Sequence, residues 1–176
     1  GSAKQGRDRK NQAILPLLTA ARLPLVAPST GAMVLHQPVN PWLFNVRATY
    51  QREAERAVQH LSLIGIDRIG VVHVDDSFGA DLLEGAKKGF AAAGKTPTFV
   101  EKFNREKWDF SAIAPRVASS GVQAVLFIGT GAAAADGIDA IRKAGSRAQI
   151  VTNSNNASGG FVKSLKDNAR GIIVTQ

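Results

Sequence analysis

The residues able to do chemistry are few and scattered. His36, His60 and His73 stand far apart, without the spacing that a zinc site uses. His73 lies inside an apolar run and reads as structural. The chain has no cysteine, which removes disulfides, thiolate nucleophiles and thiolate metal sites. Neither a Gly-x-Ser-x-Gly elbow nor a Walker sequence is present. Gly129-Thr130-Gly131 offers two glycines of a dinucleotide fingerprint, but Ala134 takes the third position and no acid ends the next strand. The adjacent Asp75 and Asp76 suit a metal, although caps and surface charges are commoner uses of such a pair. With no nucleophile beside a base, the expectation is binding without catalysis, and no cofactor or metal.

What remains is a set of polar turns, residues 28–32, 75–79, 129–132 and 153–156. They carry hydroxyls, amides and one aromatic, Phe78. That composition suits holding a small polar molecule better than transforming it. Each turn has a plain alternative. Ser29, Thr30 and Gly31 offer hydroxyls and free backbone N–H groups to a ligand, or form an ordinary strand-to-helix turn. Asp76 or Ser77 caps the next helix. Phe78 either covers a bound molecule from the lip or is tucked into the core.

The elements that position these turns alternate regularly. β-branched apolar runs at 69–74, 98–103, 124–128, 149–152 and 171–175 read as strands. Helical patterns lie between them, beginning near Phe78, Phe110, Gly131 and Phe161. Alternation of this kind means βαβ units, a parallel sheet and helices on both faces, a three-layer α/β Rossmann-like arrangement. In such sheets ligands bind beyond the carboxyl ends of the strands, where the polar turns fall. Upstream, a helix is expected from Asn11, starting late or kinked at Pro16. Residues 1–10 read as a polar, fraying start. Short strands are expected at 23–27 and 42–46, with a loop at 33–41. A helix capped by Thr49 and ended by Gly65 follows.

Composition excludes several classes. The 176 residues are 44% hydrophobic and 20% charged, ordinary for a globular α/β chain. No apolar run approaches the roughly 20 residues of a membrane helix. No secretory leader is read at the start, which suits a mature or trimmed chain as well as a cytosolic one. The net charge of +8 favours anionic partners. The positive residues are dispersed, without aromatic interleaving or a nucleic-acid motif, so no nucleic-acid partner is expected.

Several stretches, in order, resemble type I periplasmic substrate-binding proteins, nearest the leucine/isoleucine/valine-binding branch that serves ABC transporters. They are Ala13-Ile14-Leu15-Pro16 with the run from Leu23 through Ala32, then Phe44-Asn45-Val46-Arg47, then Ile69 onward with Asp76 and Phe78-Gly79. Trp108-Asp109-Phe110-Ser111 and Gly171-Ile172-Ile173-Val174-Thr175 complete the series. The resemblance implies two lobes that close around a small carboxylate or amino acid, a periplasmic location and a membrane permease as partner. Alternatives are a ligand-sensing domain of a regulator or receptor with the same fold, and a Rossmann-like enzyme.

The same resemblance implies that residues 1–48 are a remnant of the first lobe and 49–176 a nearly complete second lobe, with further chain on both sides in such proteins. A remnant without its sheet partners exposes apolar surface from Ile14, Leu17, Leu18, Leu25 and Val26, a patch suited to association. The implied ligand-binding residues are Ser29, Thr30, Gly31, Asp76, Phe78, Thr130, Gly131 and Ser154. This chain departs from the pattern at several of them. The usual hydroxyl falls at Gly31, so Ser29 or Thr30 supplies it. A serine-bearing loop maps near Asp8, within Arg7-Asp8-Arg9. A second aromatic maps onto Gly131. The acid that grips an amino group maps onto Ser154, which is neutral and favours a carboxylate ligand without an obligatory amino group.

Overall fold

A computed structural model describes residues 3–175, with residues 3–9 described by backbone alone. Its centre is a five-stranded parallel sheet of β3 (Ile69–Val74), β4 (Val100–Phe103), β5 (Ala124–Ile128), β6 (Gln149–Thr152) and β7 (Ile172–Val174), in the spatial order β4-β3-β5-β6-β7. Every residue of β3 and β5 is buried, as expected of parallel strands covered on both faces. The helices are α2 (Tyr50–Leu63), α3 (Ser77–Ala92), α4 (Ile113–Ser119), α5 (Gly131–Lys143) and α6 (Gly159–Leu165). The α2 and α3 helices pack together, and α5 packs between α4 and α6. Right-handed crossovers place the pair on one face and the trio on the other. Among the described residues no helix is long and apolar enough to cross a membrane.

The chain leaves β3 towards β4 on one side, then returns to β5 and continues through β6 and β7 on the other. The order therefore reverses between β3 and β5. In open parallel sheets such a reversal is where ligands bind, beyond the carboxyl ends of the strands.

Local chemistry sets the helix starts. Thr49 caps α2 by accepting from the Arg52 N–H at 3.0 Å. Of the two candidates for the α3 cap, Asp76 does the work, accepting from the Gly79 N–H at 3.0 Å. Gly65, with φ of +84°, lets the chain turn out of α2. The α2–α3 contact depends on Gly85, where an added Cβ would lie 2.1 Å from the Gln51 carbonyl oxygen.

The upstream part is slighter. Helix α1 (Ala3–Ala20) leads to two-residue strands β1 (Leu25–Val26) and β2 (Leu43–Phe44), paired in parallel. A 3-10 turn (Met33–Leu35) occupies the expected loop.

Several boundaries differ from the sequence expectations. Helix α1 starts at Ala3, not Asn11, and runs across Pro16. Its first turns are built from Ala, Lys, Gln and Arg, good helix formers that apolar periodicity cannot see. Gly1 and Ser2 lie outside the described residues, and so do the side chains of Arg7, Asp8 and Arg9. The helix expected from Phe110 starts at Ile113, because Asp109 accepts from the Ser111 N–H at 2.9 Å and holds a turn first. The last helix starts at Gly159, with Ser158 accepting from the Phe161 N–H at 3.2 Å, and changes to 3-10 over Lys166–Ala169.

Candidate functional site

The turns at the carboxyl ends of β3, β4 and β5 meet through one side chain, Arg105. Its Nε donates to Asp76 Oδ2 and its Nη1 donates to Thr130 Oγ1 at 3.1 Å. Its guanidinium carbon lies 5.6 Å from the centroid of the Phe78 ring. Asp76 belongs to the loop after β3, Arg105 to the loop after β4 and Thr130 to the loop after β5, so Arg105 spans the switch point. The Arg105 and Asp76 side chains are 14% and 10% exposed. In such a setting a charge-assisted contact is stronger than at an open surface.

The expected residues divide between this group and two others. Phe78 is 6% exposed and lies in the main core, edge-on to Tyr50 at a centroid distance of 5.0 Å, so the core alternative describes its position. Thr30 is buried, donates to Tyr50 Oη at 3.5 Å and accepts from the Ala32 N–H at 3.1 Å. Gly31 accepts from the Tyr50 N–H at 2.8 Å, and a Cβ there would lie 2.6 Å from the Ala48 carbonyl oxygen. Ser29 is exposed. A run of contacts thus joins the turn around Thr30 to Arg105 by way of Tyr50 and Phe78. Gly131 is exposed, with φ of +62° and no atom within 4 Å of a Cβ built on it.

Ser154 sits in a separate network. Its N–H and Oγ donate to the Glu53 carboxylate at 2.5 and 2.9 Å, while its Oγ accepts from Arg47. Thr175 at the end of β7 also donates to Glu53. These residues close one end of a cavity of about 480 Å³ between α2 and the β6–β7 edge, which Arg56, His60, Val151 and Ile173 also line. A second cavity of about 600 Å³ lies upstream, lined by Gln12, Met33, Tyr50, Ser77, Phe78 and Asp81.

Donors and acceptors are unequally available at the strand ends. Asp76 accepts at both oxygens, from Gly79 and Arg105. Glu53 accepts from Ser154 and Thr175. Asp75 pairs with Lys102 at 2.9 Å, and Asp81 accepts from the Met33 N–H and from Gln51. Each of these carboxylates already accepts hydrogen bonds, Asp75 and Asp76 from cations and Asp81 and Glu53 from neutral groups. Donors remain: the Thr130 hydroxyl proton, the outer nitrogen of Arg105, and the buried Asn153 Nδ2, which has no acceptor among the described residues. This arrangement suits oxygen atoms of a ligand better than an ammonium group.

His73 is 8% exposed, with Nδ1 at 3.0 Å from the Val74 carbonyl oxygen. Among the described residues no three His, Cys, Asp or Glu side chains gather to hold a metal. Sequence reasoning missed Arg105, Glu53, Arg47 and Thr175. The strand-end rule, extended to β4, points to Asn104 and Arg105.

The described geometry has close counterparts. A family model described as periplasmic binding protein matches residues 10–176. A substrate-binding periplasmic protein from Ralstonia solanacearum is 28% identical, with a TM-score of 0.77 over 92% of this chain and 46% of its own. A branched chain amino acid ABC transporter structure from Thermus thermophilus with bound valine has a TM-score of 0.81 at 18% identity, over 93% of this chain and 43% of its own. A possible leucine/isoleucine/valine-binding protein from Rhodopirellula baltica gives 0.74 at 24% identity, over 92% and 45%. At that identity the last two speak for the fold. The chain spans about half the length of these structures. A search of curated proteins gives no match.

Proposed function

The chain belongs to the periplasmic binding protein family, and on that premise we propose that it is the solute-binding part of an ABC transporter system, taking a small carboxylate between two lobes. Residues 49–176 form the second lobe in this reading, and residues 1–48 belong to the first. The main core supports that division, since among the described residues its first buried member in sequence is Tyr50. Closure of the lobes presents the loaded form to a membrane permease in the periplasm. The protein binds and releases its solute without turnover.

The observation that carries the carboxylate is the surplus of donors at the strand ends. An α-amino acid brings an ammonium group, and a buried ammonium needs an acceptor, best a carboxylate. Ser154 stands where the resemblance implies an acid, and its hydroxyl is already held by Glu53 and Arg47. Loss of a charged partner costs about 3–5 kcal/mol when the other charge stays buried, enough to turn micromolar binding into millimolar.

Calorimetry with matched pairs tests the reading: leucine against its keto acid, and phenylalanine against phenylpyruvate. The keto acid is expected to bind more tightly in each pair. Tighter binding of both amino acids rules out the ligand class and assigns Glu53 or Asp76 as the ammonium partner.

A further inference from the structure

We infer that a cavity at the amino ends of β5, β6 and β7 is a second binding site, one that takes a small multivalent oxyanion such as a diphosphate. It lies apart from the solute site proposed above, which uses the opposite ends of the strands.

The cavity has a volume of about 640 Å³. Gln123 precedes β5, Gln149 opens β6 and Gly171 precedes β7, and all three line it. Residues from the end of α5 and from the 3-10 turn after α6 complete the wall. At about 3.3 Å per residue, β5 and β6 put roughly 15 Å of sheet between this cavity and the turns that hold Thr130 and Ser154.

Charge supports the site first. Arg142, Arg147 and Arg170 line the cavity, against one acid, Asp167. The side chains of Arg147 and Arg170 have neither a hydrogen bond nor an ion pair among the described residues. Elsewhere on this lobe Lys95, Lys102, Arg116 and Lys143 each pair with an acid. Three guanidinium groups around one hollow, short of acids, raise the local concentration of anions there.

The way Arg142 is held adds a second support. Its Nη1 donates to the carbonyl oxygens of Ser146 at 3.0 Å and Ala148 at 2.8 Å, which fixes the guanidinium plane. Its Nε and Nη2 have no partner among the described residues. Those two nitrogens form one edge of the guanidinium, with parallel N–H bonds that match two oxygens of a phosphate or carboxylate. Because the plane is already set, little rotamer freedom is left to lose on binding. Burial lowers the Arg142 pKa from its ordinary value, and no acid offsets that. A bound anion would supply the missing countercharge.

The rest of the lining says what kind of anion fits. Gln123 accepts at Oε1 from the Asp67 and Arg68 N–H groups, at 3.0 Å each, which leaves its Nε2 to donate. Ala148 is the one hydrophobic side chain of the lining, and no aromatic is present. Nothing there seats a hydrocarbon chain or stacks on a base. The ligand is therefore small and densely charged, and a monovalent anion would leave guanidinium groups unpaired.

Calorimetry on the purified protein with pyrophosphate and with acetate, in metal-free buffer, tests the inference. Pyrophosphate is expected to bind at least about tenfold more tightly than acetate. Arg142→Gln is expected to weaken pyrophosphate roughly tenfold to a hundredfold, the range for a charge-assisted contact. Arg142 also holds the turn at Ser146–Ala148, so a second variant is needed that leaves the fold alone. Arg170→Gln removes a side chain with no partner in the protein and is expected to weaken binding about twofold to fivefold. Arg22→Gln removes the same charge from the upstream region and should leave the affinity as it was. Absence of pyrophosphate binding overturns the inference. So does binding that both Arg142→Gln and Arg170→Gln leave intact, or that Arg22→Gln weakens equally, since overall charge would then account for it. Capture by phosphatidylglycerol vesicles without binding of pyrophosphate also overturns it and assigns the arginines to a membrane surface. Each of these outcomes leaves the solute-binding reading standing.

Discussion

Residues 3–48 and residues 49–175 bury their apolar side chains to very different extents. Downstream, Val58, Ile69, Phe127, Ile138 and Ile150 are all 0% exposed and share one core. Upstream, Leu17, Val26, Phe44 and Val46 are 71%, 63%, 53% and 78% exposed, and among the described residues only Ala32 packs against that core, in part. The two regions are not distinguished by how apolar they are. They differ in having a sheet to pack on. Five strands downstream give every helix a surface, whereas two strands of two residues upstream give almost none. Apolar surface that finds no partner within the described residues is surface available to another one.

The sharpest test of this contrast removes one large side chain from each region. Phe127 packs among Phe103 and Phe110, with ring centroids at 5.6 and 6.0 Å. Phe127→Ala is expected to cost about 3–5 kcal/mol in urea unfolding. Leu17→Ala at its exposed site is expected to change stability by less than about 0.5 kcal/mol. Comparable losses from the two variants would break the contrast and show that the upstream region packs against something.

A smaller effect is expected from overfilling the downstream region. At Gly85 a Cβ would come within 2.1 Å of the Gln51 carbonyl oxygen, a backbone atom that cannot swing aside. Gly85→Ala therefore separates α3 from α2, at a cost of about 1–3 kcal/mol. Gly159, where a Cβ meets nothing within 4 Å, is the matched control and should tolerate alanine. Equal stability of the two variants would mean that α2 and α3 can slide apart without loss.

The same contrast explains what could be read in advance. Strands β3, β5 and β6 have the expected limits because central parallel strands appear as unbroken apolar runs. The edge strands β4 and β7 are shorter than expected. β4 carries Glu101 and Lys102, so the pattern blurs where the sheet meets solvent. Helix α1 was legible only in its apolar half, because the stretch before Asn11 is polar and forms helix through propensity, without an apolar period to read. In the site, Asp76 and Thr130 were legible as the ends of apolar strands. Arg105 was not, since it follows the least apolar of them. The Glu53–Ser154 contact joins residues 101 apart in sequence, and no spacing rule reaches across that separation.

The smallest expected effect distinguishes the two regions by pH. His36 follows the 3-10 turn of the upstream region, and its Nε2 is buried without a partner among the described residues. Burial pushes its pKa below the ordinary 6.5, and the charge of Asp81 on α3 offsets part of that. A histidine with a lowered folded value binds fewer protons folded than unfolded, in the window from about 6.5 down to that folded value. Stability must then fall as the pH drops through this window and level off once the folded imidazole is itself charged. The loss should be local, because Leu35 beside it lies outside the main core. Hydrogen exchange measured at pH 7.5 and again near pH 5.5, corrected for intrinsic rates, should therefore show amides of β2 opening more readily while those of β3 keep their protection. His36→Gln, which cannot titrate, should remove the difference in β2. Exchange in β2 that does not respond to pH, or that rises equally in β3, would mean that His36 is not what ties the upstream region's stability to pH.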